Sequence, residues 1–185
     1  TILWGDVVPP NAGDTMWANL IAAYNALSPD MQEIVDGMRG VHTYLNYEGV
    51  KPNKDFADRI AKSQKVSEHP IVRVHPETGE KALWVSPKFL LEIVGLSPTE
   101  SKAILAMLKT HVIRPEFTYR FKWEPGSVAM WDNRSTAHLA PRDIQRDDND
   151  RQLYRTTLVG DIPVGVDGQP SKSMEGTPLL AVSAA

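Results

Sequence analysis

Trp131-Asp132-Asn133-Arg134-Ser135-Thr136-Ala137-His138, followed after an acidic stretch by Arg151-Gln152-Leu153-Tyr154-Arg155, carries the densest chemistry in this 185-residue chain. Residues 152–159 read as a β-strand. Residues four apart in a strand point to the same face and lie about 13 Å apart. Arg151 and Arg155 therefore share a face with Leu153 and Thr157, a mixed lining suited to the inside of a barrel with a polar site. Two cations on an inner face need anionic partners, because isolated buried charge is costly. No paired acids are evident on the same face, so the carboxylates of a ligand would suit them. Each residue also has a plainer reading: a lone His near a strand end as a hydrogen-bonded structural group, and the two Arg as solvated surface cations.

Outward from this stretch, short strands separated by turns dominate. Residues 2–8 form an apolar run closed by Pro9-Pro10-Asn11. Asp14 or Thr15 can cap a helix over about 17–27, and a second helix is expected over about 29–38. Residues 40–45 read as a strand and 46–64 as a long polar loop, a length often used for a lid over an active site. Segments 70–74 and 82–85 flank the turn Pro76-Glu77-Thr78-Gly79 as a hairpin. Ser97 with Glu100 forms a capping box opening a helix to about residue 112, with Ile104, Leu105 and Leu108 on one face. Strands follow over 117–123 and, after Glu124-Pro125-Gly126, over 127–131. The pattern predicts a mainly β (α+β) fold: a double-sheet jelly roll with inserted helices over 1–163, then a loosely held, flexible tail over 164–185.

Composition limits the function. The formal net charge is −3 and the pI about 5.9, with no basic footprint for nucleic acid and no polybasic membrane patch. No apolar run reaches the roughly 18 residues of a membrane span. The chain has no Cys, which excludes disulfides and thiolate chemistry. A cytoplasmic enzyme fits these features.

Three blocks in order, Gly13-Asp14-Thr15-x-Trp17, Trp131-Asp132-Asn133-Arg134-x-x-x-His138 and Arg151-x-x-x-Arg155-Thr156-Thr157-x-x-Gly160-Asp161-x-Pro163, make the chain resemble the taurine dioxygenase family. His75-Pro76-x-Thr78-Gly79-x-x-Ala82-Leu83 is a further match. The resemblance implies a jelly roll that holds Fe(II) by two His and one carboxylate, uses 2-oxoglutarate and O2, and releases succinate and CO2 while hydroxylating a small organic anion such as a sulfonate, an alkyl sulfate or an aryloxy-carboxylate. It assigns His138 as an iron ligand and Thr15 and Arg151 to 2-oxoglutarate. Arg155, Trp84 and Tyr47 go to the substrate. Relatives of this kind are commonly dimers or tetramers. The family's other two iron ligands come from a His-x-Asp (or Glu) motif expected shortly before the first strand, so an upstream segment is expected ahead of Thr1. His75-Pro76-Glu77 has the form of that motif but falls in the hairpin turn and reads as a decoy. The acidic loop makes the His138–Arg151 spacing longer than the family's. Against this stand a non-catalytic, metal-free binding or remnant domain, and a cupin-like sugar-binding jelly roll, which the paired Arg residues disfavour. His42, His69 and His111 are expected to be structural.

Overall fold

The computed structural model describes residues 1–43, 66–141 and 150–175. Strands β1 (Ile2–Val7) and β2 (Thr15–Asn19) open the chain, followed by helices α1 (Leu20–Asn25) and α2 (Pro29–Asp36). Strands β3 (Arg39–Thr43), β4 (Val66–Pro70), β5 (Val72–Val74), β6 (Lys81–Leu83) and β7 (Leu90–Ile93) lead to helix α3 (Pro98–Val112). Then come β8 (Thr118–Phe121), β9 (Val128–Met130), β10 (Thr136–Leu139), β11 (Gln152–Thr156) and β12 (Lys172–Glu175).

The first two strands and β8 to β11 alternate between two three-stranded sheets, β11-β1-β9 and β10-β2-β8, all antiparallel. Within β1-β2 and again within β8 to β11, successive strands add to opposite sheets, the winding of a double-stranded β-helix. The hairpin β5-β6 and a third sheet, β12-β4-β3-β7, form with the helices a separate apolar mass. Leu20, Tyr24, Ile71, Leu83, Leu90 and Leu108, all nearly inaccessible, make its centre. The helices therefore shore up the third sheet and leave the space between the first two for a site.

Local chemistry explains the helix ends. In α3 the Ser97 hydroxyl accepts from the Glu100 amide at 3.4 Å, while Glu100 Oε2 accepts from the Ser97 amide at 2.8 Å, the expected capping box. The helix expected from residue 17 begins instead at Leu20. Trp17 lies in β2, which is paired on both sides, and Asn19 Oδ1 caps α1 by accepting from the Ile21 and Ala22 amides, both at 3.0 Å. Two ladders of backbone hydrogen bonds outweigh a helix propensity that is weak by comparison.

Of the tail expected from residue 164, the described residues 164–175 include a strand. Its β12 pairs with β4, and Arg39 reaches back to donate to Pro170 O at 2.7 Å. Lys172-Ser173-Met174-Glu175 has too little apolar alternation to announce a strand, since main-chain pairing holds it. β4 and β7 carry the same weak signal. The loop expected over 46–64 lies outside the described residues.

The three histidines left as structural are so placed. His111 Nε2 donates to Ala23 O at 2.8 Å, and His42 Nδ1 donates to Gly40 O at 3.2 Å. His69 Nδ1 lies 2.7 Å from Ser171 Oγ, whose own proton goes to Pro163 O, so the imidazole is the donor. The His42 and His69 rings pack edge to face, with centroids 4.9 Å apart. Burial lowers both pKa values, to about 4 for His42 and about 3 for His69. The unfolded chain binds protons here below about pH 6.5, while the native state does not until about pH 4 and 3. The unfolded state thus holds more protons, so stability rises with pH through that window and is lost as pH falls. For His42 alone the loss by pH 4 is on the order of 3 kcal/mol. Thermal melts should fall steeply between pH 6.5 and 4.5, and the fall should be shallower in His42→Gln. A flat profile in the wild type would contradict this.

Candidate active site

Register brings the site together. Leu3 of β1 lies directly opposite Arg155 and Gly5 opposite Leu153, so these side chains share one face. On the other face Trp4 stacks on Tyr154 with ring centroids 5.3 Å apart. In the second sheet His138 of β10 is paired with Trp17 of β2, and Thr15 opens that strand opposite Phe121. Between the sheets lies a cavity of about 340 Å³ bordered by Thr15, His138, Arg151 and Arg155, with Leu3, Leu153 and Trp131 as its apolar wall.

A turn holds His138 in place. Asp132 O accepts from the Thr136 hydroxyl at 2.6 Å and from the Thr136 amide at 3.1 Å. Arg134 grips the Asp132 carboxylate through Nε and Nη2 and reaches Glu77 Oε1 at 2.7 Å. These bonds from Arg134 hold the Asp132 carboxyl well below the usual carboxylate range. His75 completes the network. Its Nδ1 accepts from the Glu77 and Thr78 amides, so the proton sits on Nε2, which points to Asp132 Oδ2 at 3.2 Å. His75 and Glu77 thus fasten the hairpin to the turn before His138, as a decoy reading requires.

His138 opens onto the cavity on one side and is crowded by protein on the other, with the Trp131 ring centroid 5.1 Å away. That crowding first, and Arg155 second, lower its pKa, which keeps the imidazole neutral and its lone pair available at neutral pH. Among the described residues no carboxylate comes within ion-pair distance of Arg155. The plain alternative of a protein partner for it therefore has no support there. Thr15 is buried, and its hydroxyl accepts the Trp123 indole N–H at 2.9 Å.

Two expected substrate contacts are not gathered here. Trp84 does not border the cavity. It packs against His42, His69 and the Arg73 guanidinium, and its indole N–H donates to Asn133 O at 3.4 Å. Tyr47 lies outside the described residues. Trp123 escaped the sequence reading. Its only signal was indirect, since a buried Thr hydroxyl needs a partner.

The donor set can be tested against a metal and a keto acid. Among the described residues no three His, Asp or Glu side chains gather as a metal site, and His138 is the one imidazole that borders the cavity. Two guanidinium groups and a hydroxyl around one cavity fit carboxylates well. The arrangement suits an anionic ligand with one imidazole beside it.

The family model for taurine catabolism dioxygenase TauD, TfdA matches residues 1–157. An alpha-ketoglutarate-dependent sulfate ester dioxygenase from Pseudomonas putida is 42% identical over 181 residues, covering 94% of this chain and 59% of that protein. An alkylsulfatase from Acinetobacter baylyi is 36% identical, over 94% of this chain and 56% of that protein. Among solved structures, a taurine dioxygenase from Burkholderia xenovorans superposes with a TM-score of 0.84 at 56% identity, over 96% of this chain and 57% of that one. The chain thus spans somewhat more than half the length of each of these three relatives.

Proposed function

Because the chain belongs to the taurine catabolism dioxygenase TauD, TfdA family, we propose that it forms the part of an Fe(II)- and 2-oxoglutarate-dependent dioxygenase that seats the keto acid beside a small anionic substrate. The observation that carries the reading is the single cavity in which Thr15, His138, Arg151 and Arg155 meet. In this reading His138 would hold Fe(II) through its neutral imidazole. Arg151 would grip the distal carboxylate of 2-oxoglutarate with a planar fork that Lys cannot reproduce. Thr15 would donate to a carboxylate oxygen, and Arg155 would face the anionic group of the substrate. Trp84 does not border this cavity among the described residues, so the reading makes no use of it.

When bound, the iron supplies the oxidative step: 2-oxoglutarate and O2 give succinate and CO2, and one oxygen atom enters a substrate C–H bond. The chain's own residues then fix which C–H bond is near. With Arg155 on the anionic end, the carbon beside it is presented. Hydroxylation of the carbon bearing a sulfate ester leaves a product that collapses to an aldehyde and sulfate, while the same step on a sulfonate releases sulfite. The sulfate ester dioxygenase and the alkylsulfatase among the relatives favour sulfate esters, with sulfonates and aryloxy-carboxylates as the other substrate classes of this reading. A cytoplasmic enzyme assembled as a dimer or tetramer completes the proposal.

The test is succinate formation by the complete polypeptide with Fe(II), 2-oxoglutarate and each of these three substrate classes. At least one class, with alkyl sulfates foremost, should stimulate succinate release at least tenfold over the substrate-free rate. Absence of 2-oxoglutarate turnover with every class would leave the chain as a non-catalytic binding domain.

A further inference from the structure

Thr15 and Trp123 are 3% and 2% exposed, and the hydrogen bond between them spans 108 residues of sequence. An indole nitrogen can only donate, whereas a hydroxyl has one proton and two lone pairs. The Trp123 N–H occupies a lone pair of Thr15, and no acceptor among the described residues takes the hydroxyl proton. Thr15 borders the cavity, so that proton is what its hydroxyl has left to offer a ligand there. Without the indole, the same hydroxyl could turn a lone pair toward an incoming carboxylate and repel it.

The indole is itself held from two sides. The Phe121 ring meets it edge-on at 5.0 Å between centroids. On the other side β1 passes so close that a Cβ added at Gly5 would lie 3.2 Å from Trp123 Cε3. The turn after Trp123 is tied to the same glycine, with Gly126 N donating to Gly5 O at 2.7 Å and Gly5 N to Ser127 O at 2.9 Å. Gly5, Phe121 and Trp123 thus form a support behind Thr15 that links the two sheets.

We propose that Trp123 is a positioning residue that holds the Thr15 hydroxyl as a hydrogen-bond donor into the cavity, setting its affinity for the carboxylate of the keto acid. The proposal rests on the reading of this cavity as the 2-oxoglutarate site. If Trp123 acts through Thr15, its effect on the ligand must vanish once the hydroxyl is gone.

The test is anaerobic titration of the complete Fe(II)-loaded polypeptide with 2-oxoglutarate, read as binding rather than turnover, for wild type, T15V, W123F and T15V/W123F. W123F should weaken binding about five- to tenfold and T15V at least as much. The double variant should bind no more weakly than T15V alone. If W123F weakens binding by the same factor with and without the Thr15 hydroxyl, or not at all, Trp123 is packing only and the proposal is overturned. If T15V binds 2-oxoglutarate like the wild type, the underlying reading of Thr15 falls and takes the proposal with it. Should W123F not fold, G5A shifts the indole without deleting it. Its weakening, about twofold or more, should likewise disappear in the T15V background, and persistence there would overturn the proposal.

Discussion

Arg151→Lys is expected to raise the 2-oxoglutarate concentration needed for half-maximal turnover roughly ten- to a hundred-fold, with little change in the substrate requirement. Arg151 borders the cavity immediately before β11. It presents a rigid planar fork that can meet both oxygens of a carboxylate, while an ammonium is a point charge on a flexible stem. Keeping the charge but losing one hydrogen bond to a carboxylate costs about 1.5–3 kcal/mol, which gives that range of affinity. Lys retains the positive charge, so the substitution isolates geometry from electrostatics. The measurement is initial rate against 2-oxoglutarate at saturating substrate, and again against substrate at saturating 2-oxoglutarate. Unchanged 2-oxoglutarate dependence would move this role to Arg155.

Much of this site was legible in the sequence because its residues obey short-range rules. The period of a strand alone puts Arg151, Leu153 and Arg155 on one face, and all three border the cavity. The motif from Trp131-Asp132-Asn133-Arg134 to His138 singled out the histidine, while the turn formed by Asp132, Arg134 and Thr136 and the short strand β10 that it feeds came only from the structure. Ser97 and Glu100 announced α3 by a short-range rule, since both partners lie within one helical turn.

What escaped depends on partners far away in the chain. Trp17 reads as helical until β8 and β10 claim its strand. β12 has no apolar pattern of its own and exists because β4 offers an edge. Trp84 shares the hairpin that matches the family, yet the packing of His42 and His69 draws its ring away from the cavity. Trp123 could not be paired with Thr15 by any local rule across 108 positions.

Arg155→Ala tests most directly the central claim, that one cavity seats two anions with one arginine each. Arg155 lies directly opposite Leu3 of β1, and about 13 Å beyond Arg151 by strand rise. With the keto acid held between Arg151 and His138, Arg155 would be left for a second anion. No carboxylate among the described residues lies within ion-pair distance of Arg155. The measurement is 2-oxoglutarate decarboxylation with and without an anionic substrate, in wild type and variant side by side. Slow substrate-free decarboxylation should persist in Arg155→Ala, because the keto acid keeps Arg151 and Thr15. Stimulation by sulfate esters or sulfonates should vanish at concentrations that saturate the wild type, a loss of about tenfold or more in apparent substrate affinity. Collapse of both activities together would contradict the account and assign Arg155 to the keto acid or to the fold, and retention of both would leave it no part in recognising the substrate.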